Sequence, residues 1–228
     1  MKVVPIRRMR LVDEATRVIR DMILTGGLSA GTRLRQADLA DQMEISRTPL
    51  REALMKLEQE GLVEVLPRGG FRVVELELEE AVELYDVREV LDGLAARLAA
   101  QRITEQSLKS LQERMRKMEK CVATKNAHEW FIHHVAFHGE LYQASGNSRL
   151  IGLTSTVSLS IQHFHPLLLT TPNRLREAFR EHQEILKAIR ARDPQRAEHL
   201  ARLHIANAKE IVLKVMAEQQ HSGKALTR

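Results

Sequence analysis

The chain has 228 residues, 43% hydrophobic and 29% charged, which excludes a disordered protein and leaves room for two modest domains or one large one. One cysteine, Cys121, rules out an intrachain disulfide, and no run reaches the roughly 18–20 apolar residues of a membrane span. The net charge of +5 permits contact with nucleic acid, and 4% aromatics point to a core of aliphatic ridges between helices.

Lys2, Arg7, Arg8 and Arg10 precede the first acid, Asp13, as a basic arm: a solvated terminus able to touch a phosphate backbone. Residues 13–25 set Ala15, Val18, Ile19, Met22 and Ile23 on one helical stripe, which Gly26 and Gly27 end. The segment from Leu28 to Leu34 reads as a turn into a short helix around residues 36–43. The next helix runs from about Arg47 to Gln59, with Pro49 in its first turn, where a missing N–H costs nothing, and Gly61 closes it. Val63-Glu-Val-Leu66 and Phe71-Arg-Val-Val74 are two short strands around a turn at Pro67-Arg-Gly-Gly70. Three helices and a two-stranded wing make a winged helix-turn-helix over residues 8–75.

From residue 79 onward the periodicity is helical throughout. Stripes cover roughly 79–101, 105–123, 127–144, 148–169, 173–191 and 195–217. Gly146 marks a break, Asn173 and Asp193 are N-cap candidates, and Pro194 starts a helix. The fold class is therefore mainly α, with the winged domain followed over residues 79–217 by an all-α bundle of about six helices, large enough to enclose a ligand pocket.

The first turn of the helix at Arg47 gathers Ser46, Arg47, Thr48 and Arg51 at a positive helix end. Arg47 and Arg51 suit guanine O6/N7 or phosphate, Thr48 a thymine methyl or an edge acceptor, and Ser46 a cap or a phosphate. Arg68, with Gly69 and Gly70, sits where a wing tip reaches a minor groove or backbone. Ten histidines are a high count. His134 and His138 lie four apart on one helical face, a spacing suited to two ligands of one metal. His128, His133, His163, His165, His199 and His221 read as ordinary surface or core residues. Arg88 stands four residues before Asp92, as in a surface ion pair.

Four segments, Leu34-Arg-Gln-Ala-Asp-Leu-Ala40, Ser46-Arg-Thr-Pro-Leu-Arg-Glu-Ala-Leu54, Leu57-Glu-Gln-Glu-Gly-Leu62 and Pro67-Arg-Gly-Gly-Phe71, resemble the DNA-binding domain of GntR-type bacterial regulators. Val87-Arg-Glu-Val-Leu-Asp92, Ala136-Phe-His-Gly-Glu-Leu141, Ala144-Ser-Gly-Asn147, the run from Glu181 to Ile189 and Arg202-Leu-His204 resemble the helical FCD domain of the FadR-like branch. The resemblance implies a cytoplasmic regulator, most often a repressor, that binds a pseudo-palindromic operator as a homodimer and answers to a small organic acid. It makes Arg35 a DNA contact and Arg88 an anchor for the effector's carboxylate. It also implies a divalent transition metal, Zn or Ni, held by an Asp four residues before a His on the domain's third helix and by one His from each of the last two helices.

His138, His182 and His204 match that pattern, while His134 stands where Asp is usual. Glu44 likewise stands in the helix-turn-helix turn where Gly is usual. The scarcity of aromatics near the pocket points to a small polar ligand. A metal-dependent hydrolase is the rival reading, but no His-Glu-x-x-His helix, nucleophile motif or Gly-rich phosphate loop is present, and no carboxylate base near the metal is identifiable. A non-specific DNA-binding protein leaves the pocket domain without a purpose.

Overall fold

The computed structural model describes residues 7–24, 26–75, 77–161 and 164–225. Lys2 and His163 lie outside them, as do the side chains of Arg7, Arg8, Arg10, His128 and His221. The chain divides into two compact units, Met1–Leu76 and Glu77–Arg228.

The first unit holds α1 (Arg7–Leu24), β1 (Arg33–Leu34), α2 (Gln36–Gln42), α3 (Arg47–Gln59), β2 (Val63–Val65) and β3 (Phe71–Val73). Helices α1 and α3 bury Val12, Ala15, Ile19 and Ile23 on one side and Leu50, Ala53, Leu54 and Leu57 on the other. Arg20 at the far end of α1 clamps Glu60, just past α3, with two hydrogen bonds of 2.8 and 2.6 Å. The wing has three strands, not two. Arg33–Leu34 pairs antiparallel with β3, giving the order β1-β3-β2 and placing Leu34 opposite Phe71. A two-residue strand carries no alternation to read in a sequence; the buried contact of Leu34 selects it. At the wing tip Gly69 and Gly70 take φ values of +83° and +96°, which a side chain would resist, and the Leu66 N–H donates to the Gly70 carbonyl.

The second unit holds α4 (Leu78–Arg102), α5 (Glu105–Thr124), α6 (Ala127–Ala144), α7 (Ser148–Ile161), α8 (His165–Thr170), α9 (Arg174–Arg190) and α10 (Pro194–Ala225). Helix α4 touches α6, α7, α9 and α10; its buried Ala81, Ala95, Ala96, Ala99 and Ala100 let those neighbours approach closely. Side-chain caps define the starts of several helices. Thr104 accepts from Ser107 N–H, Asn126 from Glu129 N–H, Asn147 from Arg149 and Leu150 N–H, and Asp193 from Arg196 N–H.

Three details differ from the sequence reading. The helix expected over 148–169 is two helices, with Pro166 in the first turn of α8, because proline cannot donate to the turn before it. Asn173 precedes α9 but makes no side-chain cap; it takes a left-handed conformation instead, with φ +62°. The last helix runs on to Ala225.

Candidate functional site

In the first unit, α2 and α3 are joined by a turn at Glu44, which adopts φ +52°, and Ile45 N–H then donates to the Ala40 carbonyl. The left-handed turn is thus kept without glycine, at a cost in local strain. Burial of Pro49, Leu50, Ala53, Leu54 and Leu57 fixes the roll of α3, and that roll turns Arg47, Thr48 and Arg51 to solvent. Ser46 occupies the N-cap position without a capping hydrogen bond, and the first-turn N–H groups of any helix lack intrahelical partners. Arg35 is exposed at the start of α2, 4.0 Å from Asp38. Arg68 and Gly69 are exposed at the wing tip, and Gly70 is half-buried beside them. Arg33 joins this set. Its guanidinium lies beside Gly70, a placement hidden from the sequence because β1 was.

In the second unit, α6 supplies His134 and His138, α9 supplies His182 and α10 supplies His204. All four are buried, and one ligand nitrogen from each lies within 4.8 Å of the others. Nε2 of His138 stands 3.2 Å from Nε2 of His134 and 3.2 Å from Nε2 of His182. Three of the rings are held from behind at Nδ1: His138 by Asp92 at 3.2 Å, His182 by the Ala178 carbonyl, and His204 by Glu181 at 2.6 Å. With the proton on Nδ1, each turns an Nε2 lone pair toward the others. Nδ1 of His134 has no hydrogen-bond partner, and its ring is held by stacking on Trp130 at 4.8 Å.

These donors fit a metal. Two nitrogens, each about 2.0–2.1 Å from a tetrahedral zinc, lie about 3.3 Å apart, close to the spacing seen here. Burial pushes the imidazoles of His134 and His182 well below 6.5, with the neighbouring rings adding to the effect. Burial brings His138 to about 4 against the pull of Asp92, and lowers His204 against that of Glu181. Neutral imidazole is the form that ligates.

Arg88 and Asp92 form the i,i+4 pair, Nε to Oδ2 at 3.0 Å, but with side chains only 6% and 1% exposed it is a core ion pair. Burial works against the Asp92 carboxylate, yet Arg88 and the His138 hydrogen bond outweigh it and hold the carboxyl well below the usual range. The same sum fixes Glu181. Burial opposes its charge, while His204 and the two-pronged grip of Arg174 bring it to about 2.

A cavity of about 190 Å³ opens on this centre, lined by Arg88, His134, His138, Tyr142, Thr154 and His165 among others. Two expectations need correction. Carboxylates do stand close to the four rings, but behind them, where Asp92 and Glu181 orient imidazoles. The aromatics are also not sparse here: Trp130, Phe131, Phe137 and Tyr142 all pack around the histidines. His165, read as an ordinary residue, is buried with its ring 5.4 Å from that of His134. The i,i+4 arithmetic that found His134 and His138 had no purchase on partners brought in by α4, α8 and α9.

A winged helix-turn-helix with outward arginines, joined in one chain to a helical unit with a buried cavity, defines a DNA-binding regulator of transcription. Residues 11–73 match the gntR family of bacterial regulatory proteins and residues 83–207 match the FCD domain, so the chain belongs to the GntR family, in the group that carries an FCD domain. It is 28% identical over 209 residues to the HTH-type transcriptional repressor GlaR of Escherichia coli, covering 88% of this chain and 95% of that protein. It is also 28% identical over 182 residues to the gluconate operon transcriptional repressor of Bacillus licheniformis, covering 77% and 74%. Escherichia coli McbR/YncC shares the fold, with a TM-score of 0.73 and 24% identity over 92% of this chain and 98% of that one. The first two are named as transcriptional repressors. Among the described residues no helix is long and apolar enough to cross a membrane.

Proposed function

We propose that the protein is a repressor that binds a pseudo-palindromic operator as a homodimer, through Arg35, Ser46, Arg47, Thr48, Arg51, Arg68, Gly69 and Gly70. Residues 8–75 form its DNA-binding domain and residues 79–217 its effector-binding and dimerisation domain. His134, His138, His182 and His204 hold one divalent transition metal, and Arg88 anchors the carboxylate of a small organic acid in the adjoining cavity. The observation that carries this reading is the convergence of the four buried imidazoles beside a cavity that Arg88 lines.

An all-imidazole donor set suits Zn or Ni above Mg, Ca or Mn. The donors themselves bring no negative charge, and the carboxylates behind them, Asp92 and Glu181, are each also paired with an arginine, which leaves net positive potential for an anionic ligand. When bound by all four imidazoles, the ion would supply a Lewis-acidic position for a ligand oxygen only as a fifth coordination site. Asp92 already occupies Nε of Arg88, and the guanidinium's remaining N–H groups are the ones that would meet a carboxylate. Thr154 also lines the cavity, where its hydroxyl oxygen can accept from a ligand while its hydrogen is given to the Leu150 carbonyl. The names of two relatives, the gluconate repressor and a probable D-xylose utilization operon repressor of Paenarthrobacter nicotinovorans, support a small, oxygen-rich effector. An effector shifts DNA binding only if it binds the operator-competent arrangement with a different affinity from the alternative.

The test is selection of bound duplexes from a random DNA library by full-length protein, repeated after metal chelation and with a panel of sugar acids and hydroxy acids. The reading expects a two-fold related consensus and at least one acid that releases it only from metal-loaded protein. Equal capture of all sequences would overturn it.

A further inference from the structure

A second set of metal-ligating side chains comes together away from the four-histidine centre, at the hairpin between α5 and α6. Lys125, at φ +55°, ends α5, and Asn126 caps α6 by accepting from Glu129 N–H at 3.1 Å. The tight connection lays the last turn of α5 against the first two turns of α6. Cys121 comes from the former, Glu129 and His133 from the latter, and one ligand atom of each lies within 4.8 Å of the other two.

Several observations set this group apart from ordinary packing. Nδ1 of His133 is buried without a hydrogen-bond partner, an uncommon state for a buried nitrogen. Its Nε2 stands 3.8 Å from Oε1 of Glu129, beyond hydrogen-bond length. Asn126 Nδ2 holds the other Glu129 oxygen at 3.2 Å, so the carboxylate is steered but not consumed. Cys121 is buried and in no disulfide, and its sulfur lies within 4.8 Å of a ligand atom of both Glu129 and His133.

We propose that Cys121, Glu129 and His133 form a second metal site that takes one thiophilic dication, Zn²⁺ foremost. A tetrahedral zinc about 2.0–2.3 Å from each ligand brings the three atoms to about 3.3–3.8 Å apart, a contraction of at most about 1.5 Å that side-chain rotation of Glu129 and Cys121 supplies. The ion replaces the thiol proton, which leaves to solvent, and the site keeps its fourth position for water or an outside ligand. His133 and His134 are neighbours on α6, so one helix carries a ligand of each site. The inference does not depend on the four-histidine centre, because only this site contains sulfur.

The test is Co²⁺ titration of metal-free full-length protein, followed in the near ultraviolet, where thiolate-to-cobalt charge transfer absorbs and imidazole ligation does not. Wild type should develop that band in full by two equivalents per chain, since the four imidazoles take up one Co²⁺ without contributing to it. Cys121→Ser should lose it, and His133→Asn, whose thiol is intact, should need at least tenfold more Co²⁺ to reach it. Zn²⁺ should bleach the band by displacement. Circular dichroism checks that each variant keeps its helices. No band in wild type at saturating Co²⁺, or an unshifted titration in both His133→Asn and Glu129→Gln, would overturn the proposal.

Discussion

Arg88 and Asp92 show how burial changes the weight of a familiar spacing. On a helix surface an i,i+4 pair contributes a few tenths of a kcal/mol. Here both side chains are in the core and Asp92 also holds His138. Arg88→Ala should therefore cost about 3–5 kcal/mol in chemical unfolding of the second unit, because it strands a buried carboxylate. A cost below about 1 kcal/mol would mean that water reaches Asp92 freely. Glu44 is the opposite case, a residue whose replacement should help. Glu44→Gly relieves the positive φ and should stabilise the first unit by about 1 kcal/mol, less the flexibility gained by the unfolded chain. A fall in its melting temperature would show that the Glu44 side chain makes a compensating contact.

The imidazoles give a pH dependence whose sign follows from their shifts. Their pKa values in the folded, metal-free protein lie below 6.5, with His138 at about 4. Between those values the unfolded chain takes up protons that the fold refuses, so stability is full above pH 6.5 and declines as pH falls toward 4. Urea midpoints of chelated protein at about pH 8 and pH 5 should differ in that order. Equal midpoints would mean that the four rings are not held neutral.

At the scale of elements, α3 was legible because thirteen residues give a full amphipathic period, and its capping position, proline and buried face all agree. The short β1 was not legible, since two residues carry no pattern. The break between α7 and α8 turned on Pro166, which the apolar periodicity of 148–169 masked. The site divides in the same way. His134 and His138 share a helix and could be paired by spacing alone, whereas the support from Asp92 on α4 and Glu181 on α9 depends on tertiary packing. Because α3 presents Arg47 and Arg51 outward, alanine at either should cost about 1–3 kcal/mol on the selected operator and less on unrelated duplexes. Equal losses on both would reassign the side chain to phosphate.

At the scale of the whole molecule, a DNA-reading unit shares one chain with a helical unit whose polar centre lies in its core. The proposed homodimer requires two half-sites, so operator affinity should fall steeply with salt and collapse when one half-site is scrambled. Both behaviours test the reading heads and their pairing; the proposed response to an effector rests on the metal. The most direct measurement is therefore the metal content of Cys121→Ser protein, in which sulfur ligation is removed, beside the same protein carrying His182→Ala. Close to one Zn or Ni per chain is expected in the first and a loss of that ion in the second, with the first unit still folded. Absence of metal from both after replenishment, or equal content in both, would contradict the four-histidine centre.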